Sequence, residues 1–120
     1  VRLAEPIMGP DAHLVNRFCR LAKDHKIWLS LGGMKEVGDS VRVHNTHLIV
    51  SAAGEVAAVY RKAHLFNVDV EGKRYFESES TIAGNEYVVC DTPVGRLGIT
   101  TCYDLRFPEH YSELVRRGGA

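Results

Sequence analysis

The alternation of apolar and polar residues predicts helices and strands in turn along the chain. Over residues 11–25, Leu14, Val15, Phe18, Leu21 and Ala22 recur at helical spacing and define one buried stripe, with Cys19 and Arg20 toward its edge. Gly9 and Pro10 stand just before it, where a helix can begin. Residues 27–31 form a short apolar run closed by Gly32 and Gly33, which predicts a buried strand. Residues 34–40 are polar and contain glycine, and predict a loop or the margin of a strand. Residues 45–52 and 55–61 are rich in β-formers and flank Ala53-Gly54, the pattern of a hairpin. Lys62 follows the second strand immediately.

Residues 63–84 show no clean period and carry Asp69, Glu71, Lys73, Arg74, Glu77 and Glu79. An irregular stretch of this length in a compact domain is usually functional or disordered. A short strand is expected over residues 86–91, a turn at Thr92-Pro93, and then a strand that stops abruptly at Cys102. Tyr103 and Asp104 form a polar turn, and Pro108 suits the first turn of a helix running to Val115. These elements add up to a layered α/β fold. A cysteine at the end of a buried strand, just before a sharp turn, stands where α/β architectures place reactive groups. The geometry is that of an elbow exposing a nucleophile, although G-x-S-x-G is absent.

Composition narrows the classes. Fifteen basic and fifteen acidic side chains balance, and they are interleaved, which argues against a nucleic-acid groove. No apolar run approaches the roughly 20 residues of a membrane span. Three cysteines without paired spacing fit a reducing compartment, here expected to be the cytoplasm, with mitochondria as a second location. His44 and His47 fall on opposite faces of an extended stretch, and no Cys/His cluster has zinc-ligand spacing, so neither metal nor cofactor is expected. Cys19 and Cys90 read as structural, Asp104, Arg106 and Glu109 as an ion-pair network holding the elbow, and His64 as fixing the loop after Lys62.

Two blocks carry a resemblance. Y-R-K-A-H-L-F (residues 60–66) and P-V-G-R-L-G-I-T-T-C-Y-D-L-R-F-P-E (residues 93–109) resemble the nitrilase, or carbon–nitrogen hydrolase, superfamily. The likeness is to its Nit branch, whose amidases act on deaminated glutathione and on omega-amides. A-E-P at residues 4–6, W-L-S-L-G-G at residues 28–33 and N-T-H at residues 45–47 match in the same order, so nearly the whole chain is covered. The resemblance implies an α-β-β-α sandwich of the nitrilase type, present only in part. Residues 1–120 would be an internal fragment of the domain, lacking an N-terminal part and a C-terminal part.

The resemblance also implies a Glu–Lys–Cys triad, with Lys62 and Cys102 on the family positions. Its glutamate would lie upstream of the chain, since Glu5 matches the A-E-P loop. A supporting glutamate between lysine and cysteine would be Glu77, with Glu79 as the alternative. The chemistry suits these residue types: a thiolate forms an acyl intermediate, and a neighbouring ammonium lowers the thiol pKa and faces the developing oxyanion. The catalytic set is therefore Cys102, Lys62 and Glu77, and the substrate-binding set is Tyr103, through its backbone N–H, with Glu79 and Arg106. The expected function is thiol-dependent hydrolysis of a C–N bond in a small linear amide, with deaminated glutathione first. The alternatives are an omega-amidase acting on 2-oxoglutaramate-type monoamides and a non-catalytic association domain. The expected partners are that amide and a second copy of the chain, paired through a helical face of Tyr111, Leu114 and Val115.

Overall fold

The computed structural model describes residues 3–118. Helix α1 (His13–His25) precedes strands β1 (Leu29–Val37), β2 (Val43–Val50) and β3 (Val56–Arg61), which form an antiparallel sheet in that order. Two hairpins follow, β4 (Asn67–Val70) with β5 (Lys73–Phe76), and β6 (Val89–Thr92) with β7 (Gly95–Gly98). A 3-10 turn over Cys102–Arg106 leads into helix α2 (Pro108–Arg116).

Side chains on a strand alternate between faces, and the three-stranded sheet buries both. One face packs Leu48, with Leu31, Met34 and Val59, against Ala12, Val15 and Cys19 of the α1 region. The other packs Ile49, Tyr60 and Ala58 against Cys90, Val88 and Ile99 beside the second hairpin. Leu114 of α2 in turn lies against Gly98, where an added Cβ would meet its side chain at 3.1 Å. The layers therefore run helix, sheet, hairpin, helix.

Several expectations need correction. The predicted stripe of α1 divides: Val15 and Ala22 are buried, whereas Leu14 and Leu21 are 42% and 39% exposed. Glu5, not a residue of the usual capping type, serves the helix start, its carboxylate accepting the Leu14 N–H at 2.8 Å. Strand β1 does not stop at Gly32-Gly33 but continues to Val37, because the register shift between Leu31 and Met34 absorbs the glycines as a bulge. The glycines also make room, since a Cβ on Gly32 or Gly33 would lie 3.2 Å from the His47 ring or 3.0 Å from Asn45 Oδ1. The irregular segment contains the exposed β4–β5 hairpin, and the strand expected before Cys102 is only the short β7 of the second hairpin, followed by the buried Ile99.

Candidate active site

Lys62 follows β3, two residues after Tyr60, and so projects on the same face as Tyr60. Its backbone is clamped on both sides: its N–H donates to Asn45 O at 2.9 Å, and its carbonyl accepts from Gly84 N at 2.9 Å. Gly84 lies so close that a Cβ there would stand 2.1 Å from the Arg61 carbonyl oxygen. The Lys62 ammonium is 2% exposed and bonds Glu77 Oε2 at 2.6 Å. The same oxygen accepts the Phe66 N–H at 2.7 Å, and Glu77 N donates back to Phe66 O at 3.1 Å. Burial pushes the Glu77 carboxyl up, but the Lys62 ammonium and the Phe66 N–H outweigh it and hold it below the usual range. Glu77 thus stays ionised at neutral pH and keeps its lysine paired.

Cys102 opens the 3-10 turn and is exposed, with φ 55 in the left-handed region. Only Lys26 shares that conformation among the described non-glycine residues. Such strain costs on the order of 1–3 kcal/mol and persists where the surroundings impose it. Here His47 approaches from β2, its ring bonded to Ser30 Oγ at 2.7 Å and contacting the Thr100 carbonyl at 3.3 Å. From the other side, Asp104 Oδ2 accepts the Thr101 N–H at 2.9 Å, closing a loop around the cysteine. The Tyr103 ring stands edge-on to Phe66 and Phe107, at 5.0 and 5.4 Å, which leaves its backbone N–H in the first turn, where no intrahelical acceptor exists.

Asp104 is fully buried and joins the two segments. Oδ1 accepts from His64 N at 3.0 Å and from His64 Nδ1 at 2.8 Å. Oδ2 accepts from the Tyr60 hydroxyl at 2.6 Å in addition to Thr101 N–H. An ionised carboxylate only accepts, so His64 carries its proton on Nδ1. Burial pushes the Asp104 carboxyl up, and the Tyr60, Thr101 and His64 donors bring it below its ordinary value. His64, Asp104 and His110 bring possible ligand atoms within 4.8 Å of one another. Those hydrogen bonds already occupy the carboxylate's acceptor positions, so Asp104 is a hydrogen-bond hub, while neither ring nitrogen of the buried His110 has a hydrogen-bond partner among the described residues.

The structure thus brings Lys62 and Glu77 into contact, and ties their segment to the turn of Cys102 and Tyr103. Glu79 stands apart, 70% exposed and 3.8 Å from Arg74. Arg106 and Glu109 are exposed and form no ion pair with Asp104 among the described residues; Tyr60 and His64 take the place that the sequence assigned to them. Glu77 lines a cavity of about 330 Å³ with Gly33, Lys35, His44, Asn45 and Tyr75, in whose lining Cys102 has no part. The roles of Tyr60, Asn45 and His47 escaped sequence reasoning, although N-T-H and Y-R-K mark their positions.

A buried lysine–glutamate pair at a strand end is thus fastened through Asp104 to a strained, exposed cysteine turn within α/β layers. The carbon–nitrogen hydrolase family model matches residues 2–120, and the chain belongs to that family. It is 47% identical over 108 residues to the deaminated glutathione amidase of Dictyostelium discoideum, covering 86% of this chain and 37% of that protein. It is 40% identical to the Bos taurus deaminated glutathione amidase, covering 98% of this chain and again 37% of that protein. The crystal structure of the Caenorhabditis elegans NitFhit protein superposes with a TM-score of 0.79 at 46% identity, covering 92% of this chain and 27% of that one. Saccharomyces cerevisiae Nit3, a member of branch 10 of the nitrilase superfamily, also gives 0.79, at 29% identity, over 96% of this chain and 40% of its own. The fold is thus part of a nitrilase-type domain, and the chain spans well under half the length of these relatives.

Proposed function

We propose that the whole protein hydrolyses the C–N bond of a small linear amide, with deaminated glutathione as the leading substrate. Cys102 Sγ attacks the amide carbonyl, and the tetrahedral oxyanion is met by the Lys62 ammonium and the Tyr103 N–H. The C–N bond breaks, ammonia leaves with the thiol proton, and a thioester to Cys102 remains. Water then cleaves the thioester, giving the carboxylic acid and restoring the thiol. Glu77 aims Lys62, and Lys62 can do more than bind Glu77: an ammonium has three donors, and Glu77 is its one side-chain partner among the described residues. The deprotonating glutamate belongs, by family likeness, to an upstream segment.

The observation that carries this reading is the buried Lys62–Glu77 pair on the strand that Asp104 fastens to the Cys102 turn. The names of the relatives favour the deaminated glutathione substrate over other amides. Three free thiols suit a reducing compartment such as the cytoplasm. For pairing of two copies, the outer face of α2 offers Val115 and, just before the helix, Leu105, at 66% and 72% exposure; Leu114, expected on that face, is buried inward.

The test is an ammonia-release assay of the full-length protein against a panel of dicarboxylate monoamides that includes deaminated glutathione. Cys102→Ala should abolish release and leave the melting temperature nearly unchanged, because the side chain is exposed. Hydrolysis that survives this substitution would sink the nucleophile assignment.

A further inference from the structure

We infer that Asp104 is a positioning residue, which aims the Cys102 thiol relative to the Lys62 ammonium; this rests on the hydrolytic reading above. Its carboxylate divides its hydrogen bonds between the two segments that would have to cooperate. From the lysine side it takes the Tyr60 hydroxyl at 2.6 Å and the His64 N–H and Nδ1–H at 3.0 and 2.8 Å. From the cysteine side it takes the Thr101 N–H at 2.9 Å. Tyr60 and His64 each lie two residues from Lys62, and Thr101 and Asp104 bracket Cys102. Tyr60 reinforces the tie, since its hydroxyl also accepts the Ala63 N–H at 3.1 Å.

The Asp104 carboxylate is at 0% exposure, so no water competes for these bonds. The groups that face it are Tyr60 near the end of β3, His64 in the following loop, Thr101 in its own turn, and His110 from α2. The left-handed backbone of Cys102 is enclosed by the Thr101-to-Asp104 bond, so loss of that bond lets the cysteine relax and re-aims its sulfur. A neutral amide cannot replace the carboxylate. With its oxygen toward His64, its NH2 would point at the Thr101 N–H, donor against donor.

A merely structural role and a positioning role predict different outcomes, which separates the two. The first lowers the melting temperature alone. The second re-aims the thiol relative to the Lys62 ammonium and lowers both kcat and the rate of alkylation. Full-length wild type, Asp104→Asn and Tyr60→Phe are compared by ammonia release and by the rate of Cys102 alkylation with iodoacetamide between about pH 6 and about pH 9. In Asp104→Asn, kcat should fall about 100-fold with KM nearly unchanged, the cost of moving a reacting group by about 1 Å, and Cys102 should alkylate more slowly than in the wild type at each pH. Tyr60→Phe, which removes one bond of the set, should show the same pattern with a fall of about tenfold. If Asp104→Asn fails to fold, Tyr60→Phe decides by itself.

Variants that melt lower yet keep the wild-type kcat and alkylation rates would overturn the positioning role. A wild-type Cys102 that alkylates no faster than Cys19 would overturn the hydrolytic reading and this inference together.

Discussion

The two faces of the three-stranded sheet each bury a carboxylate against a cation, and the neighbours Arg61 and Lys62 serve opposite faces. On the α1 side, Glu36 is 6% exposed and accepts from Thr46 Oγ1 at 2.6 Å and from both arms of the Arg61 guanidinium. On the other side, Glu77 holds the Lys62 ammonium. A guanidinium is a planar fork that a carboxylate can occupy with two parallel bonds, and Glu36 does so. An ammonium is a point charge with several donors, and one carboxylate oxygen leaves the others open. The first cluster fastens the strands β1, β2 and β3. The second leaves ammonium donors open, and it is on this face that the proposed hydrolysis would use a buried charge.

The sharpest way to break this comparison is Lys62→Met. Turnover of the full-length protein should drop by about 10³-fold or more, since an oxyanion partner is lost, and stability should fall by about 3 kcal/mol because Glu77 keeps a buried, unpaired charge. Pairing it with Glu77→Gln should restore most of the melting temperature and none of the turnover. Full recovery of activity in the double variant would remove Lys62 from the chemistry.

Acid should weaken both clusters. Burial raises the Glu36 and Glu77 carboxyls, but their cationic partners and other donors bring each below its ordinary value. A carboxyl whose pKa is depressed in the folded state contributes stability that is full above its unfolded value, about 4.3, and is lost as pH falls through the folded one. Melting temperatures recorded from about pH 7 down to about pH 3 should therefore decline less steeply in Glu36→Gln and in Glu77→Gln than in the wild type. Slopes equal to that of the wild type would show that neither ion pair is coupled to folding. The smallest effect is expected for Arg61→Lys. Losing one arm of the fork should cost about 1 kcal/mol in a denaturant titration and leave ammonia release unchanged. A large loss of activity would mean that the Glu36 face is not merely structural.

Local signals made much of this legible. Helical spacing located α1, Pro108 marked the start of α2, and β-formers around Ala53-Gly54 located β2 and β3, whose observed bounds differ from the reading by a few residues. What failed has a physical reason in each case. Strand β1 was cut short because a glycine pair reads as an end, while here a bulge carries the ladder through it. The β4–β5 hairpin stayed hidden because Asp69, Lys73 and Arg74 are exposed and the pair has little apolar side to alternate with.

Glu77, which the sequence places first with Glu79 as the alternative, is the one that stands next to Lys62, and the Phe66 loop folded onto it holds it there. The sequence groups Asp104 with Arg106 and Glu109 in an ion-pair network holding the elbow. Its partners Tyr60 and His64 come from the end of β3 and the loop after it, contacts that no local spacing encodes.

Gly84 contributes no functional group, yet the lysine's direction depends on it. Its backbone rests against Arg61 so closely that any side chain at that position would push the end of β3 aside. The aim of a charged group is thereby inherited from a residue that has nothing to aim, and a methyl group added there would reach the chemistry as surely as a change in the lysine itself.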